Sequence, residues 1–439
     1  MTIAEQAAGA RRAARILATQ SHDQRSAAME AMAQALEAQQ DAVLRANCED
    51  VQNAKRAVDG GELDAPLLKR LDLAGKYDDV VSMIRSVARQ ADPLGKTECA
   101  TELADQLDLF RVSVPIGVIG VIFESRPDAL VQIAALCLKS GNAVLLKGGR
   151  EAIESNRALA TVMHDAAVAA GAPEGWLVLL ETREDVSAIL GLDRDIDLII
   201  PRGSNEFVRY IMENTNIAVM GHADGICHVF VETEADADKS VRICVDAKTQ
   251  YVSVCNAAET ILIDRAALAE IGPKLLRALD DAGVEIRGDV EIQALAGGIA
   301  ITPAVEDDWR AEYLDYVVAI RVVAGMAEAV DHINEYGSHH TDAIVTENAA
   351  QAAAFIAAVD SSSVVHNAST RFADGFRYGL GAEVGISTNR LHSRGPVGLE
   401  GLCSYKYVLL GDGHTVDDFE SGVRSFTHRP LDRTYSPGS

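Results

Sequence analysis

The chain has 439 residues, 48% of them hydrophobic and 24% charged, and its formal net charge at pH 7 is −25. This length allows two or three domains with their own cores, and the composition is that of a globular rather than a disordered protein. The acidic balance argues against nucleic acid as a partner, because phosphates need a basic face. Solvated acidic helix faces are the usual cause of such a charge, and adaptation to a salty cytoplasm is the alternative.

The N-terminal residues predict neither export nor membrane insertion. They carry Glu5 and the pair Arg11-Arg12 without a following apolar run, so no secretory signal peptide is predicted. The longest apolar run, from Val114 to Phe123, is far shorter than the ~20 residues of a membrane span. We therefore expect a soluble cytoplasmic protein. Seven cysteines without a Cys-x-x-Cys pair argue against a disulfide framework.

The opening segment, from Thr2 to about Gln90, has the spacing of helices. Its apolar residues recur at helical intervals, as in Met29, Met32 and Leu36. Between Lys96 and Pro115 the pattern alternates instead, which predicts a hairpin outside the main core and an interface there.

After Pro115 the pattern changes to strands that alternate with helices. Strands are predicted at Val118–Phe123, Ala143–Lys147, Trp176–Leu180 and Asp197–Pro201, and helices at Leu130–Ser140, Glu151–Ala170, Arg183–Leu190 and Ser204–Asn214. Such alternation predicts a mostly parallel sheet covered by helices, whose ligands sit beyond the carboxyl ends of the strands.

A second alternating block begins near Asp236. Its strands are predicted at Glu259–Ile263, Val317–Val323, Ala343–Thr346 and Ser363–His366, and its helices at Asp236–Thr249, Ala266–Ala282, Ala327–Tyr336 and Asn348–Val359. The following segment, residues 379–413, is glycine-rich and contains one strand-like run, Ser404–Leu410. Residues 428–439 predict a frayed polar tail.

Cys255 is the candidate nucleophile. It stands in Gln250-Tyr251-Val252-Ser253-Val254-Cys255-Asn256, between a predicted helix and a predicted strand, where a thiol can face a cleft. A thiolate is strongly nucleophilic even as a minor species near neutral pH. The alternative is that Cys255, like most cysteines, is a small buried hydrophobe.

Two strand-to-helix turns of the first block have the composition of nucleotide-binding turns. Leu146-Lys147-Gly148-Gly149-Arg150 combines small residues with two cations, and Pro201-Arg202-Gly203-Ser204-Asn205 opens a helix whose amide groups can hold a phosphate. Each turn alone is also ordinary turn chemistry. The Gly-x-Gly-x-x-Gly and P-loop fingerprints are absent, as is a Gly-x-Ser-x-Gly elbow.

No metal site is predicted. His222, Cys227 and His228 lie close in sequence, but their spacing matches no common zinc pattern. The pair His339-His340 is interpreted as part of a solvated loop.

Seven ordered motifs carry a family resemblance. They are Val114-Pro115-Ile116-Gly117-Val118-Ile119-Gly120-Val121-Ile122-Phe123-Glu124-Ser125-Arg126-Pro127-Asp128, the Lys147 turn, Pro201-Arg202-Gly203-Ser204, the Cys255 stretch, Asn367-Ala368-Ser369-Thr370-Arg371-Phe372, Gly381-Ala382-Glu383-Val384-Gly385-Ile386-Ser387-Thr388, and His392-Ser393-Arg394-Gly395-Pro396-Val397-Gly398-Leu399-Glu400. Together, over about residues 5–415, they closely resemble the gamma-glutamyl phosphate reductase family of the aldehyde dehydrogenase superfamily.

The resemblance implies an aldehyde dehydrogenase-like α/β fold, with two α/β domains of mostly parallel sheets and a small oligomerisation hairpin. Residues 1–240 would form the NADP-binding domain, from which residues 97–116 protrude as the hairpin. Residues 241–375 would form the catalytic domain that carries Cys255. Residues 376–415 would return to the cofactor domain and supply an oligomerisation strand, and residues 416–439 would be a C-terminal tail.

The resemblance also implies roles for single residues. Cys255 would form the covalent intermediate, and NADPH would be the hydride donor, with Lys147 near the adenosine ribose and Gly203-Ser204 near the pyrophosphate. Gly148 would also bind the cofactor. Arg150 stands where NAD-preferring relatives have a glutamate, and it could pair with the 2′-phosphate of NADP. Glu312 would hold the nicotinamide ribose.

The sequence also departs from the superfamily pattern. The superfamily's general-base glutamate belongs to a Glu-Leu-Gly-Gly motif, but the matching region here reads Met220-Gly221-His222-Ala223-Asp224-Gly225. Hydrolysis of a thioester is therefore poorly supported. Ser125 replaces the oxyanion asparagine, so Ser125 and the Cys255 amide are the expected oxyanion donors.

The expected activity is reduction of L-glutamyl 5-phosphate to L-glutamate 5-semialdehyde through a cysteine thioester, the second step of proline synthesis from glutamate. Candidate ligands of this small-molecule substrate are Arg126, Arg394, Asn367, Ser369, Thr370 and Arg371, for which loop capping and surface ion pairs are the alternative roles. A homo-oligomer and channelling from glutamate 5-kinase are also implied. Two other classes stay open: an aldehyde dehydrogenase that oxidises free aldehydes, and a non-enzymatic binding protein of the same fold.

Overall fold

The structure is a computed structural model that describes residues 1–63, 66–124, 126–203, 205–221 and 224–436, with the backbone alone at Pro66 and Arg183. Ser125, Ser204, His222 and Ala223 are therefore outside the described residues.

The opening segment is helical, as the sequence predicts, and its described part contains five helices. They are α1 (Ile3–Leu17), α2 (His22–Ala38), α3 (Gln40–Asp59), α4 (Pro66–Leu71) and α5 (Tyr77–Ala88). Thr2 and Ser21 begin the first two helices with capping boxes, which satisfy amide groups that a helix start leaves without partners. Met29, Met32 and Leu36 are fully buried and join the core beneath the first sheet.

A hairpin follows, formed by β1 (Thr97–Ala104) and β2 (Leu107–Pro115), whose strands pair antiparallel. It confirms the alternation predicted between Lys96 and Pro115.

The first parallel sheet has five described strands in the order β5-β4-β3-β6-β7. Its strands are β3 (Val118–Phe123), β4 (Ala143–Lys147), β5 (Leu177–Leu180), β6 (Leu198–Arg202) and β7 (Ala218–Val219). The helices that cover it are α6 (Pro127–Lys139), α7 (Ile153–Ala169), α8 (Arg183–Ile189) and α9 (Asn205–Glu213). All pairings are parallel, so the carboxyl ends of β3, β4 and β6 meet at one edge.

The second parallel sheet has seven described strands in the order β11-β10-β12-β9-β8-β13-β14. Its strands are β8 (Cys227–Val231), β9 (Ala258–Asp264), β10 (Glu285–Gly288), β11 (Ile301–Pro303), β12 (Val317–Val323), β13 (Thr341–Val345) and β14 (Ser363–His366). The accompanying helices are α10 (Ala237–Thr249), α11 (Leu268–Asp281), α12 (Val290–Ala294), α13 (Met326–Tyr336) and α14 (Ala349–Ala358).

The strand β8 corrects one detail of the predicted organisation. It pairs with β9 and β13, so it lies in the second sheet, whereas a division at residue 240 leaves it with the first. All its residues are buried, and a fully buried strand shows no alternation by which the sequence can mark it.

The chain then returns to the hairpin. A short antiparallel pair, β15 (Ile386–Ser387) and β16 (Gly395–Pro396), is followed by β17 (Cys403–Leu410), α15 (Val416–Glu420) and β18 (Arg429–Pro430). The strands β17 and β18 flank the hairpin in the order β17-β2-β1-β18.

The prediction of a frayed tail from residue 428 is wrong for residues 428–436. The strand β18 pairs with β1, and Tyr435 lies 5.8 Å from Phe110, ring centre to ring centre. Arg433 donates to Asp108 at 2.7 Å. The segment stays in place because its few apolar side chains cover the small core of the hairpin sheet. Within the described parts of the chain, no helix is long and apolar enough to cross a membrane.

Candidate active site

The loop that carries Cys255 joins α10 to β9. The helix ends at Thr249 and the strand begins at Ala258, close to the predicted bounds, and the Cys255 side chain is half-buried. The amide of Ala257 donates to the Val254 carbonyl at 3.0 Å, which folds the loop into a turn around the thiol.

A buried ion pair connects the two ends of this loop. Lys248, in the last turn of α10, donates to Glu259, near the start of β9, at 2.6 Å, and both side chains are fully buried. Burial raises the pKa of Glu259 to about 7, although the ammonium of Lys248 opposes this shift. The Leu314 amide also donates to Glu259, at 3.3 Å.

An imidazole lies against the thiol. His340 Nε2 is 3.1 Å from Cys255 Sγ, and the His340 ring is fully buried. The interpretation of His339-His340 as a solvated loop is therefore wrong for His340. Residue 340 immediately precedes β13, whose first residue, Thr341, is also fully buried, so the chain already enters the core at His340.

The thiol opens into a cleft of about 820 Å³ between the two sheets. Its wall carries Arg126, Arg202 and Arg371 beside Cys255, and further cations at Lys69, Arg70, Lys76 and Arg377. Three carboxylates, Glu124, Asp374 and Glu383, share the wall. Cations outnumber carboxylates here, although the chain as a whole is strongly acidic.

Arg202 is a cation of this wall with a buried donor, its Nη1, that lacks a hydrogen-bond partner in the described part of the chain. Burial lowers the pKa of Arg202, and the nearby Arg126 guanidinium lowers it further, whereas Glu383 raises it. A buried donor without a partner is costly, so an anion in the cleft would complete this site.

Arg371 is held more firmly. Its Nε donates to Gln250 Oε1 at 3.0 Å, and burial lowers its pKa, as does the neighbouring Arg377. This bond ties Arg371 to the beginning of the Cys255 loop.

Two of the cleft carboxylates are easier to protonate than usual. Burial raises the pKa of Glu124, and the charge of Glu151 adds to this effect. Burial also raises the pKa of Glu383, although Arg202 opposes it, and Glu383 accepts from the Gly375 amide at 2.8 Å.

The predicted cofactor turns lie at the edge of the first sheet where the carboxyl ends of its strands meet. Lys147 ends β4, is mostly buried and donates to the Gly148 carbonyl at 2.6 Å. A Cβ on Gly148 would lie 2.1 Å from Asn156 Nδ2, so that position has no room for a side chain. Arg150 is exposed in the 3-10 turn Arg150–Ala152.

Gly203 is the predicted cofactor residue that the structure brings to the cleft wall with Cys255. Asn205, at the start of α9, also lines the cleft and donates to Glu312 at 3.0 Å, so Glu312 lies beside this turn. Ser204 and Ser125 fall outside the described residues, and their roles stay predictions.

The predicted substrate residues divide into two groups. Arg126 and Arg371 line the cleft, while the described cleft wall does not include Asn367, Ser369, Thr370 or Arg394. The Asn367 and Thr370 side chains bond to the Thr346 and Asn256 backbones, Ser369 caps the turn at Arg371, and Arg394 pairs with Asp360 at 2.8 Å. In this structure the four have the capping and pairing roles that the sequence left as the alternative, and their substrate role stays a prediction.

The region that replaces the Glu-Leu-Gly-Gly motif lies against the nucleophile. A Cβ on Gly225 would lie 2.4 Å from the Cα and carbonyl oxygen of Cys255. The one carboxylate of this stretch, Asp224, accepts from Arg209 at 2.7 Å and from Asn205 at 2.6 Å. Among the described residues no group of three metal-ligating side chains could hold a metal ion.

Sequence reasoning missed His340 and Arg202 as site residues. Arg202 stands inside the Pro201-Arg202-Gly203-Ser204 motif, at the end of a predicted strand. This position could have indicated that its side chain lies at the ligand site. His340 precedes a strand that was predicted two residues too late, and this hid its burial.

Comparisons with known proteins agree on the family. Residues 1–296 match the aldehyde dehydrogenase family. The chain is 51% identical to a gamma-glutamyl phosphate reductase of Acetivibrio thermocellus over 99% of this chain and 100% of that protein, and 50% identical to one of Natronomonas pharaonis over 98% of each. The crystal structure of a gamma-glutamyl phosphate reductase from Thermotoga maritima superposes with a TM-score of 0.90 at 37% identity, covering 94% of this chain and 99% of that chain.

A further comparison concerns the fold alone. An acetylating aldehyde dehydrogenase from Geobacillus thermoglucosidasius, 18% identical, superposes with a TM-score of 0.65 over 94% of this chain and 97% of that one. With these likenesses and the geometry around Cys255, the chain belongs to the aldehyde dehydrogenase family and, within it, to the gamma-glutamyl phosphate reductases.

Proposed function

We propose that the chain reduces L-glutamyl 5-phosphate to L-glutamate 5-semialdehyde and phosphate, with NADPH as hydride donor, in proline synthesis from glutamate. The observation that carries this proposal is a half-buried thiol in a cleft whose wall is lined by Arg126, Arg202 and Arg371. The names of the relatives at about half identity over the full length support the same substrate.

Cys255 would attack the acyl carbon of the substrate. A carbon–sulfur bond forms while the bond to the phosphate oxygen breaks, and the product is a thioester on Cys255. The turn formed by Val254 and Ala257 holds the thiol at the cleft, and the buried pair Lys248–Glu259 keeps that turn in place. Ser125 and the Cys255 amide remain the predicted oxyanion donors.

The guanidinium groups would bind the anionic ends of the substrate. Arg202 has an unpartnered buried donor among the described residues, and a phosphate oxygen is the kind of acceptor it lacks. Arg371 and Arg126 stand on the same wall and are candidates for the carboxylate or the phosphate.

The residues at the sheet edge fit a nucleotide cofactor. Gly203 and Asn205 line the same cleft as Cys255, and its volume of about 820 Å³ is within the range of ligand sites. A Cβ on Gly203 would lie 3.0 Å from Glu124 Oε1, so the Glu124 carboxylate lies beside this turn. When bound, the cofactor would supply the hydride that reduces the thioester.

Arg150 supports the choice of NADPH over NADH. It is exposed one turn beyond Lys147, where a 2′-phosphate can reach it. A Cβ on Gly149 would lie 1.9 Å from Glu151 Oε1, so the Glu151 carboxylate lies over this same turn. A 2′-phosphate would be repelled by Glu151, and Arg150 supplies the charge that offsets this repulsion.

The experiment that tests the proposal is the reverse reaction. Glutamate semialdehyde and NADP are supplied with and without phosphate, and NADP reduction is followed together with free glutamate. We expect turnover to require phosphate, because general-base activation of water is worth roughly 10²–10⁴-fold and the Glu-Leu-Gly-Gly base is absent. Arsenate should replace phosphate. Steady turnover without phosphate, accompanied by glutamate, would favour the alternative.

That alternative is oxidation of a free aldehyde with hydrolysis of the thioester. It is favoured by Glu124 and Glu383, two carboxylates on the cleft wall whose pKa values are raised by burial. If turnover proceeds without phosphate, the variants Glu124→Gln and Glu383→Gln identify which of them activates water.

We further propose that the protein is a homo-oligomer joined through the hairpin sheet. The strand β17 is an edge of this sheet, and its residues Tyr405, Tyr407 and Leu409 are exposed. An uncovered apolar edge is a common site of pairing between subunits. Light scattering of the wild type and of Tyr407→Lys tests this; a monomeric wild type would contradict it. The cytoplasmic location and the contact with glutamate 5-kinase stay predictions.

A further inference from the structure

Two strands of the second sheet bring an imidazole and two thiols together. His340, before β13, lies with Nε2 at 3.1 Å from Cys255 Sγ, and its Nδ1 is 3.8 Å from Cys227 Sγ on β8. Nδ1 is also 2.9 Å from Thr341 Oγ1. These contacts hold the ring with one nitrogen directed at the half-buried thiol.

We propose that His340 is a catalytic residue, the base that takes the proton of Cys255 so that the sulfur attacks as a thiolate. This inference rests on the proposed function only for the identity of the acyl donor. The hydroxyl of Thr341 can accept from Nδ1–H, which leaves Nε2 as the acceptor that faces the thiol.

The two thiols beside the ring are not equivalent. Cys227 is fully buried, its Sγ donates to the Cys255 carbonyl at 3.2 Å, and burial raises its pKa well above the ordinary value. Cys227 therefore keeps its proton. Cys255 alone of the two reaches the cleft, so the histidine can act on substrate only through Cys255.

The charged groups around the pair favour an anionic sulfur. Arg202 and Arg371 lie on the cleft wall with Cys255, and the cations of this wall outnumber its carboxylates, Glu124, Asp374 and Glu383. Asp342 on β13, whose charge raises the pKa of Cys227, is itself bound to His228 at 2.8 Å. His339 is turned away and bonds to the Asp360 carbonyl at 2.7 Å. Glu259 is held by Lys248.

The acyl-transfer step balances with His340 as proton carrier. The thiol proton passes to Nε2, the carbon–sulfur bond forms, and the bond from the acyl carbon to the phosphate oxygen breaks. The imidazolium proton then goes to the departing phosphate, which leaves as hydrogen phosphate. His340 is neutral again when the thioester is complete, and no electron transfer is involved.

The test measures alkylation of Cys255 by iodoacetamide as a function of pH, without substrate or cofactor. The background is Cys48→Ser/Cys99→Ser, because these two thiols are exposed and the remaining four besides Cys255 are buried. With His340→Gln we expect the pH midpoint of alkylation to rise towards the value near 8.5 of free cysteine. At pH 7 the rate should fall roughly 10- to 30-fold, since only about 3% of an ordinary thiol is ionised there.

The matched control is His332→Gln. His332 is also buried, but its ring contacts Trp309 and Tyr336 rather than a cysteine. We expect this variant to keep the wild-type midpoint. An unchanged midpoint in His340→Gln, or the same change in both variants, would overturn the proposal.

A second measurement needs no histidine variant. The thiolate absorbance of the wild type minus that of Cys255→Ser is recorded from pH 5 to pH 9. If the ionised fraction of Cys255 at pH 7 is well above the few per cent expected of a free cysteine, the result supports proton transfer to His340. A fraction of only a few per cent refutes it. Neither measurement involves turnover, so a failed reverse reaction with an intact thiolate signal would reject the proposed substrate and leave His340 in its role.

Discussion

Replacing Gly225 by alanine should displace the nucleophile. The added Cβ would lie 2.4 Å from the Cα and carbonyl oxygen of Cys255, and both are backbone atoms that no rotamer change can move. The separation must grow by about 1 Å before ordinary contact begins. Overpacking of this kind costs roughly 1–3 kcal/mol in the free energy of unfolding. A misplacement of about 1 Å in an active site can cost 10²-fold in rate.

The matched control is Gly221→Ala, four residues earlier in the same stretch. A Cβ there would meet Pro201 at 3.5 Å, which is ordinary contact, and neither glycine has a left-handed φ. Reductase turnover and urea unfolding are measured for both variants. We expect about a hundredfold loss of turnover for Gly225→Ala and little change for Gly221→Ala. Equal turnover in the two variants would refute the reasoning.

Three further predictions follow from single contacts. Cys255→Ser should abolish reductase turnover with cofactor binding retained, because a hydroxyl is a far weaker nucleophile; turnover and NADPH fluorescence measure this. Arg150→Glu should weaken NADPH by roughly 1.5–3 kcal/mol and NADH much less, as measured by titration. Lys248→Met should lower the free energy of unfolding by roughly 3–5 kcal/mol, since it leaves Glu259 buried and unpaired. In urea unfolding, the double variant Lys248→Met/Glu259→Leu should be less destabilised than the single variant.

Each of these has a contrary outcome. Comparable turnover by Cys255→Ser would exclude the covalent route. Equal losses for both cofactors would mean that Arg150 does not contact the 2′-phosphate. A double variant as unstable as Lys248→Met alone would show that the unpaired carboxylate is not the source of the cost.

Periodicity and turn chemistry were sufficient to predict most of the two sheets. The strands Val118–Phe123, Ala143–Lys147, Val317–Val323 and Ser363–His366 have the predicted bounds, because short runs that contain valine or isoleucine and are bounded by polar or glycine-containing segments favour strands. The place of Cys255 between α10 and β9 was also predictable, since both flanking patterns are strong.

Contacts between distant residues could not be predicted in the same way. His340 meets Cys255 across 85 positions, and nothing in the local pattern at His339-His340 indicates which of the two histidines enters the core. The docking of Tyr435 on Phe110 spans a still larger separation, and a polar tail with one aromatic residue gives no local sign of it. The position of β8 in the second sheet likewise depends on its parallel pairing with β13, a strand that lies far along the chain.

The charge distribution connects the cleft to the proposed substrate. A chain with a net charge of −25 repels anions at long range, so capture of an acyl phosphate must rest on short-range contacts with guanidinium groups. The Nη1 of Arg202 is buried without a partner among the described residues, and burial lowers the pKa of this guanidinium. A neutral aldehyde adds no charge to the one that Glu383 already supplies to Arg202, whereas a phosphate adds both a charge and the missing acceptor. The wall around Cys255 is therefore better matched to an acyl phosphate than to the free aldehyde of the alternative.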